Sequence, residues 1–275
     1  MVTGKTALLR AQRRWADVRG VRYDARGCVR ELADNLRVPL AGPALEDVRR
    51  GSELTPGASG PARIYSLCSS AALVVNVFEY WRGRDATPLA NALGVAGSGN
   101  LRLTFEEPLP TGLAGDAPTT DVALAGADGR YIAIESKYGE WLVPRPRSKQ
   151  TLKGKYFPPG ERIWEAAGLP QAQALAEDLQ TGRERLKLLN AAQLLKHALG
   201  LAKNGRRSGV LVYLYYDWPA REAATHRSEL DRVLARLHPE LDLRVLTYQT
   251  MFRSLRDAPG LDPAYLEYLA RRYFA

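Results

Sequence analysis

Residues 209–216, Gly-Val-Leu-Val-Tyr-Leu-Tyr-Tyr, carry no charge and do not alternate between polar and apolar. A strand that is apolar on both sides has to be covered on both faces, and such strands sit inside sheets with helices packed on either side. Upstream, residues 121–124 and 130–137 read as two strands, and Ala127-Asp128-Gly129 between them reads as a hairpin turn. Residues 101–105 alternate and end at Pro108 and Pro110, giving a third strand. An antiparallel meander followed by a helix and a buried, parallel-type strand predicts an α/β layered domain, a mixed β-sheet flanked by helices.

The rest of the chain supplies those helices. Residues 6–18 and 29–36 read as short, arginine-rich amphipathic helices, Pro39, Gly42 and Pro43 interrupt the pattern, and residues 45–50 add one more turn. Residues 56–61 form a Gly/Pro/Ser connector. Residues 66–82 are almost apolar all round, which predicts a central, buried helix. Residues 138–180 look irregular, residues 183–204 a long helix, 221–237 another, 243–247 a last strand and 250–274 a helical tail. The glycines at 94–99 lack the Lys and Ser/Thr of a phosphate loop and are expected to form a connector. The expected organisation is a helical N-terminal extension over residues 1–60, a core over 61–250 and a helical tail over 251–275.

Lys plus Arg number 39 against 30 Asp plus Glu, a formal charge of +9 and a pI of about 9.6. That balance favours a polyanionic partner, nucleic acid first. Two cysteines, Cys28 and Cys68, make neither a disulfide framework nor a zinc ribbon and suit a reducing cytoplasm. The N-terminus carries charge too early for a signal peptide, and the longest apolar stretch, residues 71–78, is far short of a membrane span. A cytoplasmic protein with no membrane partner is expected.

The chemistry concentrates on the hairpin. A turn centred on Asp128 sets Asp121 directly opposite Glu135, and opposed side chains on antiparallel strands share a face with Cβ atoms about 5 Å apart. Lys137 shares that face because the side-chain period along a strand is two, while Ile132 and Ile134 point the other way into a core. Two carboxylates so close repel each other. A hard divalent cation relieves the repulsion, and an adjacent ammonium can stabilise a phosphate or an attacking water.

The segment Thr119-Thr120-Asp121-Val122-Ala123-Leu124, the turn, and Tyr131-Ile132-Ala133-Ile134-Glu135-Ser136-Lys137 resemble the PD-(D/E)XK nuclease superfamily, the restriction-endonuclease-like fold. The order of helix, meander, helix and strand matches that family's core, and Thr120 stands where the family name has proline. Arg50-Gly51-Ser52-Glu53-Leu54, residues 69–81 and Ala192-Gln193-Leu194-Leu195-Lys196-His197 look like bacterial restriction endonucleases of the same superfamily. The resemblance spans roughly residues 45–250. It implies that Asp121 and Glu135 bind Mg²⁺, with Mn²⁺ able to substitute, and that Lys137 assists the water. Glu53 and Glu79 are secondary candidates, since an acid from the helical region often completes such sites.

Arg145, Arg147, Lys149, Lys153 and Lys155 put five cations into eleven residues directly after the hairpin, beside Tyr156 and Phe157. That composition suits a loop that grips phosphates and stacks on bases. Gln193 is expected to contact the substrate backbone or brace the site. His197, His226 and His238 show no ligand spacing and are expected on the surface or in the core. The expected function is a metal-dependent nuclease acting on double-stranded DNA, with a homodimer as the assembly to test. The alternatives are a nucleic-acid-binding module of the same fold without cleavage, and an enzyme acting on another polyanion.

Overall fold

The computed structural model describes residues 3–58, 60–96, 100–206 and 208–274, without the Lys149 side chain. Ser59 of the 56–61 connector and residues 97–99 of the glycine-rich 94–99 segment lie outside the described residues. Along the chain, helices α1 (Gly4–Val18), α2 (Gly42–Arg50), α3 (Ser70–Phe78) and α4 (Thr87–Ala92) precede strands β1 (Leu101–Pro108), β2 (Thr119–Gly126) and β3 (Tyr131–Lys137). Helices α5 (Ile163–Ala166), α6 (Pro170–Thr181) and α7 (Ala191–Lys203) lead to β4 (Val210–Tyr215), and α8 (Ala223–Leu237) leads to β5 (Asp242–Thr247). Helices α9 (Tyr248–Asp257) and α10 (Pro263–Leu269) follow.

The strands form one sheet in the order β1-β2-β3-β4-β5. The first three are antiparallel neighbours, and β4 and β5 continue parallel to β3. Every residue of β4 is buried, as its unbroken apolar run requires. Alternation along β3 separates the faces. Glu135 turns towards α7, where it meets His197, and Ser136 turns to the opposite face, where its hydroxyl meets the Tyr248 hydroxyl of α9 at 2.7 Å. Tyr213, the register partner of Glu135, meets His226 of α8 at 3.0 Å, so α7 and α8 cover the same face. Helix α3 packs against β2 and β3. The expected mixed α/β sheet flanked by helices is the observed architecture.

Several boundaries differ, each for a local reason. Gly42 and Pro43 open α2 instead of interrupting it, because proline in a first turn needs no N–H partner and already has helical φ. In the expected helix over 29–36, Val29 and Cys28 bridge to Tyr23 and Ser66, leaving only a 3₁₀ turn at Leu32–Asn35. Helix α3 starts after Ser69, whose hydroxyl accepts the Ala72 N–H at 3.1 Å, and it tightens into a 3₁₀ turn at Glu79–Trp81. Helix α6 occupies part of the stretch read as irregular, opened by Pro170. Helix α7 begins eight residues later than the expected 183. The buried Glu229 carboxylate of α8 accepts the N–H groups of Lys187 at 2.7 Å and of Leu188 and Leu189 at 2.9 Å, which diverts them from a helical ladder.

The first and last segments pack on each other. The Gln12 side chain donates to the Arg272 carbonyl at 2.9 Å, and the buried Arg272 guanidinium lies over the Trp15 ring at 4.2 Å and donates to the Asn35 carbonyl at 2.7 Å. Those contacts offset the desolvation of a buried charge. Among the described residues no helix is long and apolar enough to cross a membrane.

Candidate active site

The β2–β3 ladder pairs Ala125 with Tyr131, Leu124 with Ile132, Ala123 with Ala133 and Val122 with Ile134. This is the register expected from the Ala127-Asp128-Gly129 turn, where Gly129 takes φ +85°, and the next pair along it is Asp121 and Glu135. Beyond Val122, side chains take over from the backbone ladder. The Asp121 carboxylate accepts the Ser136 N–H at 2.6 Å, and the buried Thr120 hydroxyl donates to the Ile134 carbonyl at 2.9 Å. A proline in place of Thr120 would have no hydroxyl to give. The strands thus part at the acidic end without leaving these polar groups unpaired.

Glu135 is fully buried and both its carboxylate oxygens are occupied. Oε1 accepts from Lys137 Nζ, and Oε2 meets His197 Nε2 at 2.7 Å. Burial alone would raise its pKa, but Lys137 and His197 outweigh burial and bring it down to about 2. For Lys137, burial opposes the charge, and Glu135, Asp121 and Glu140 overcome that and raise its pKa. Lys137 therefore stays protonated.

The neighbouring carboxylates have no such balance. Glu106 stands opposite Asp121, between the paired residues Phe105–Val122 and Glu107–Thr120. It adopts φ +48°, a left-handed conformation that costs a non-glycine residue on the order of 1–3 kcal/mol. Gly51 leaves room for its side chain, which a Cβ there would overlap. Glu53, two residues on, lines one small cleft with Glu106, Asp121, Val74 and Val75. Arg63 pairs with Glu53 at 2.7 Å, and Thr119 donates to Glu106 at 3.2 Å. Burial, then the negative charges of Glu53 and Glu135, push the Glu106 carboxyl up to about 8. Burial, with Glu135 and Glu106, also drives Asp121 well above the usual carboxylate range against the pull of Lys137. Burial raises Glu53 in the same direction.

The structure thus brings together Asp121, Glu135, Lys137 and Glu53. Glu79 is engaged elsewhere. Arg82 Nε holds both its oxygens at 3.0 and 2.9 Å and ties it to Asp47, which accepts the Phe105 N–H. Gln193 accepts from Asn190 at 2.8 Å at the start of α7. Among the basic residues, Arg145, Lys153 and Lys155 line one pocket, Arg147 packs over Gly182, and the Lys149 side chain lies outside the described residues.

Residues 46–274 match the model of the REase-ARP family, described as restriction endonuclease associating with ARP. The chain belongs to this family. No curated protein and no solved structure matches it. For a REase-ARP protein, the α/β mixed sheet and the paired hairpin acids agree with a restriction-endonuclease-like fold. The match begins inside α2, so it takes in Gly51, Glu53, Glu106 and the whole sheet.

In this REase-ARP chain, whether the site suits a metal turns on the donor set. Three carboxylates share a buried cleft with too little positive charge, and two of them are pushed strongly towards the protonated form, which is the chemistry a hard cation relieves. As the side chains stand, no three His, Cys, Asp or Glu groups among the described residues close on a common point as ligands. Sequence reasoning did not single out Glu106, and it placed His197 on the surface or in the core, where it is buried, without a role at the site. Glu106 lies past the expected end of β1, though its register opposite Asp121 was available once β1 and β2 were paired. His197 follows Gln193 by four residues, one turn along the same helical face.

Proposed function

We propose that this chain is a nuclease that hydrolyses phosphodiester bonds in DNA with the help of a divalent cation. The observation that carries the reading is the crowding of Glu53, Glu106 and Asp121 against a lysine that stays charged. Its family supports the same reaction class. Asp121 and Glu135 would hold the cation, as the PD-(D/E)XK resemblance implies, with Glu106 or Glu53 supplying a further carboxylate. Mg²⁺, or Mn²⁺ in its place, supplies charge stabilisation and an activated water when bound.

The chain's own residues set the rest. Lys137 is a donor and not a base, because its proton is held by the acids around it. It is placed to steady negative charge on a phosphate or on the attacking water. His197 braces Glu135 from α7, so that the carboxylate keeps one orientation. The basic loop of Arg145, Arg147, Lys149, Lys153 and Lys155 would hold the DNA backbone.

A second reading, a nucleic-acid-binding module without cleavage, is favoured by one observation: both oxygens of Glu135 are already taken by Lys137 and His197. The family description also makes a partner protein, ARP, part of the proposal. Incubation of the purified chain with supercoiled plasmid decides between the two readings. Cleavage that needs Mg²⁺ or Mn²⁺, stops with EDTA and disappears in Asp121→Asn supports the nuclease. DNA retention without cleavage under all these conditions supports the binding module.

A further inference from the structure

Beside the acidic cleft lies a pocket of opposite character. Arg145, Lys153, Lys155 and Lys196 line it, together with Asn190 at the start of α7 and Asp116 from the loop between β1 and β2. Lys155 is fixed there by donating to the Ala114 carbonyl at 2.7 Å and the Asp116 carbonyl at 3.3 Å. Lys196 is half-buried, and no hydrogen bond or ion pair within the described residues occupies it. Burial, together with the charges of Lys153, Lys155 and Arg145, lowers its pKa against the opposing pull of Glu135. Four like charges are held together here, and such a cluster is stabilised by an anion.

The pocket is also tied to the site. Lys196 immediately precedes His197, which touches Glu135. The first turn of α7 has no side-chain cap, because the Asn190 amide donates instead to Gln193, so the positive end of a thirteen-residue helix adds to the field. Bases stacked in a duplex would not enter so polar a recess, whereas a backbone phosphate is the charged group that every nucleotide offers.

We propose that the pocket of Arg145, Lys153, Lys155, Lys196 and Asn190 is a phosphate subsite that holds the nucleic-acid backbone beside the cleavage centre. The subsite rests on the nuclease reading for its ligand, and it adds Lys196 and Asn190 of α7 to the loop cations. It gives α7 two tasks on adjoining faces: His197 orients Glu135, and Lys196 sets where the strand lies relative to it.

The test is binding without cleavage, measured on the full chain in EDTA. A short fluorescently labelled DNA duplex is titrated at several salt concentrations with wild type, Lys196→Gln, Lys196→Arg and Lys153→Gln. Each lost phosphate contact removes about one unit from the slope of log affinity against log salt. Lys196→Gln and Lys153→Gln are expected to show that loss with severalfold weaker binding, and Lys196→Arg to keep the wild-type slope. Lys153 is exposed and its ammonium has no hydrogen bond or ion pair among the described residues, so its substitution tests the pocket even if Lys196→Gln fails to fold. Wild-type binding with a slope that both glutamine variants preserve would overturn the subsite and leave the nuclease reading standing. No binding of duplex by the wild type would remove the nucleic-acid reading and the subsite with it.

Discussion

The two halves of the candidate site treat buried carboxylates in opposite ways. On β3, Glu135 has a cation on one oxygen and an imidazole on the other, and its pKa falls to about 2. A few ångströms of sheet away, Glu106, Asp121 and Glu53 share a cleft in which burial and mutual repulsion dominate, and Glu106 rises to about 8. Burial acts on both halves, so burial is not what separates them; the supply of positive charge is. The charge of the β3 half is balanced by the protein alone. The β1–β2 half takes either protons or a cation.

That contrast predicts opposite signs for neutralising substitutions. Glu135→Ala leaves the Lys137 ammonium buried without its main partner, and removal of one member of a buried pair costs about 3–5 kcal/mol. Urea unfolding in EDTA should show a loss of that size, whereas Asp121→Asn should leave stability unchanged or raised. Equal destabilisation by both would show that the halves do not differ in charge balance.

Lys137→Ala separates catalysis from metal affinity. Removing one electrostatic stabiliser costs about 10²–10³-fold in rate. Metal binding should stay intact or tighten, because a cation leaves the cleft. Single-turnover cleavage at the wild-type rate would show that Lys137 has no part in the reaction.

Glu106 gives the pH dependence. Its folded pKa, about 8, is raised above the ordinary 4.5, so its contribution to stability is present below pH 4.5 and is lost as pH rises towards 8. Metal-free wild type should lose stability across that window, by at most about 5 kcal/mol, and Glu106→Gln should flatten the loss. The readout is unfolding free energy against pH, and parallel curves for the two proteins would remove Glu106 from the crowded half.

The smallest change expected is at Gly51. A methyl group there overlaps Glu106, and overpacking of this kind costs about 1–3 kcal/mol, less where the flexible side chain can move aside. Gly51→Ala should weaken Mn²⁺ affinity more than it lowers stability. A stability loss with metal affinity untouched would show that Glu106 does not serve the cleft.

The sequence made the β3 half largely legible and the β1–β2 half only in part. The hairpin turn determines which residues oppose each other, so Asp121 and Glu135 could be paired from local information, and Lys137 followed from the two-residue period. Glu106 needed the pairing of β1 with β2 and a left-handed backbone that no propensity announces for glutamate. His197 needed the packing of α7 on the sheet. The start of α7 was misread because the carboxylate that takes its upstream N–H groups, Glu229, lies about forty residues later in the chain. Helix α6 was hidden by Gly168 and Pro170, which here mark its beginning and not a loop. Contacts distant in sequence are what local patterning does not encode.

The claim that the acidic half is built to exchange protons for a cation is tested most directly by calorimetric titration of Mn²⁺ into the metal-free protein. The titration is done near neutral pH in two buffers of different ionisation enthalpy. Bound metal requires deprotonated ligands, so its binding should release protons from Glu106 and Asp121, about one per Mn²⁺, and the apparent heats should differ between the buffers accordingly. The same titration of Asp121→Asn should show little binding. Heats that are identical in the two buffers, or an Asp121→Asn variant that takes up Mn²⁺ as well as wild type does, would contradict the account.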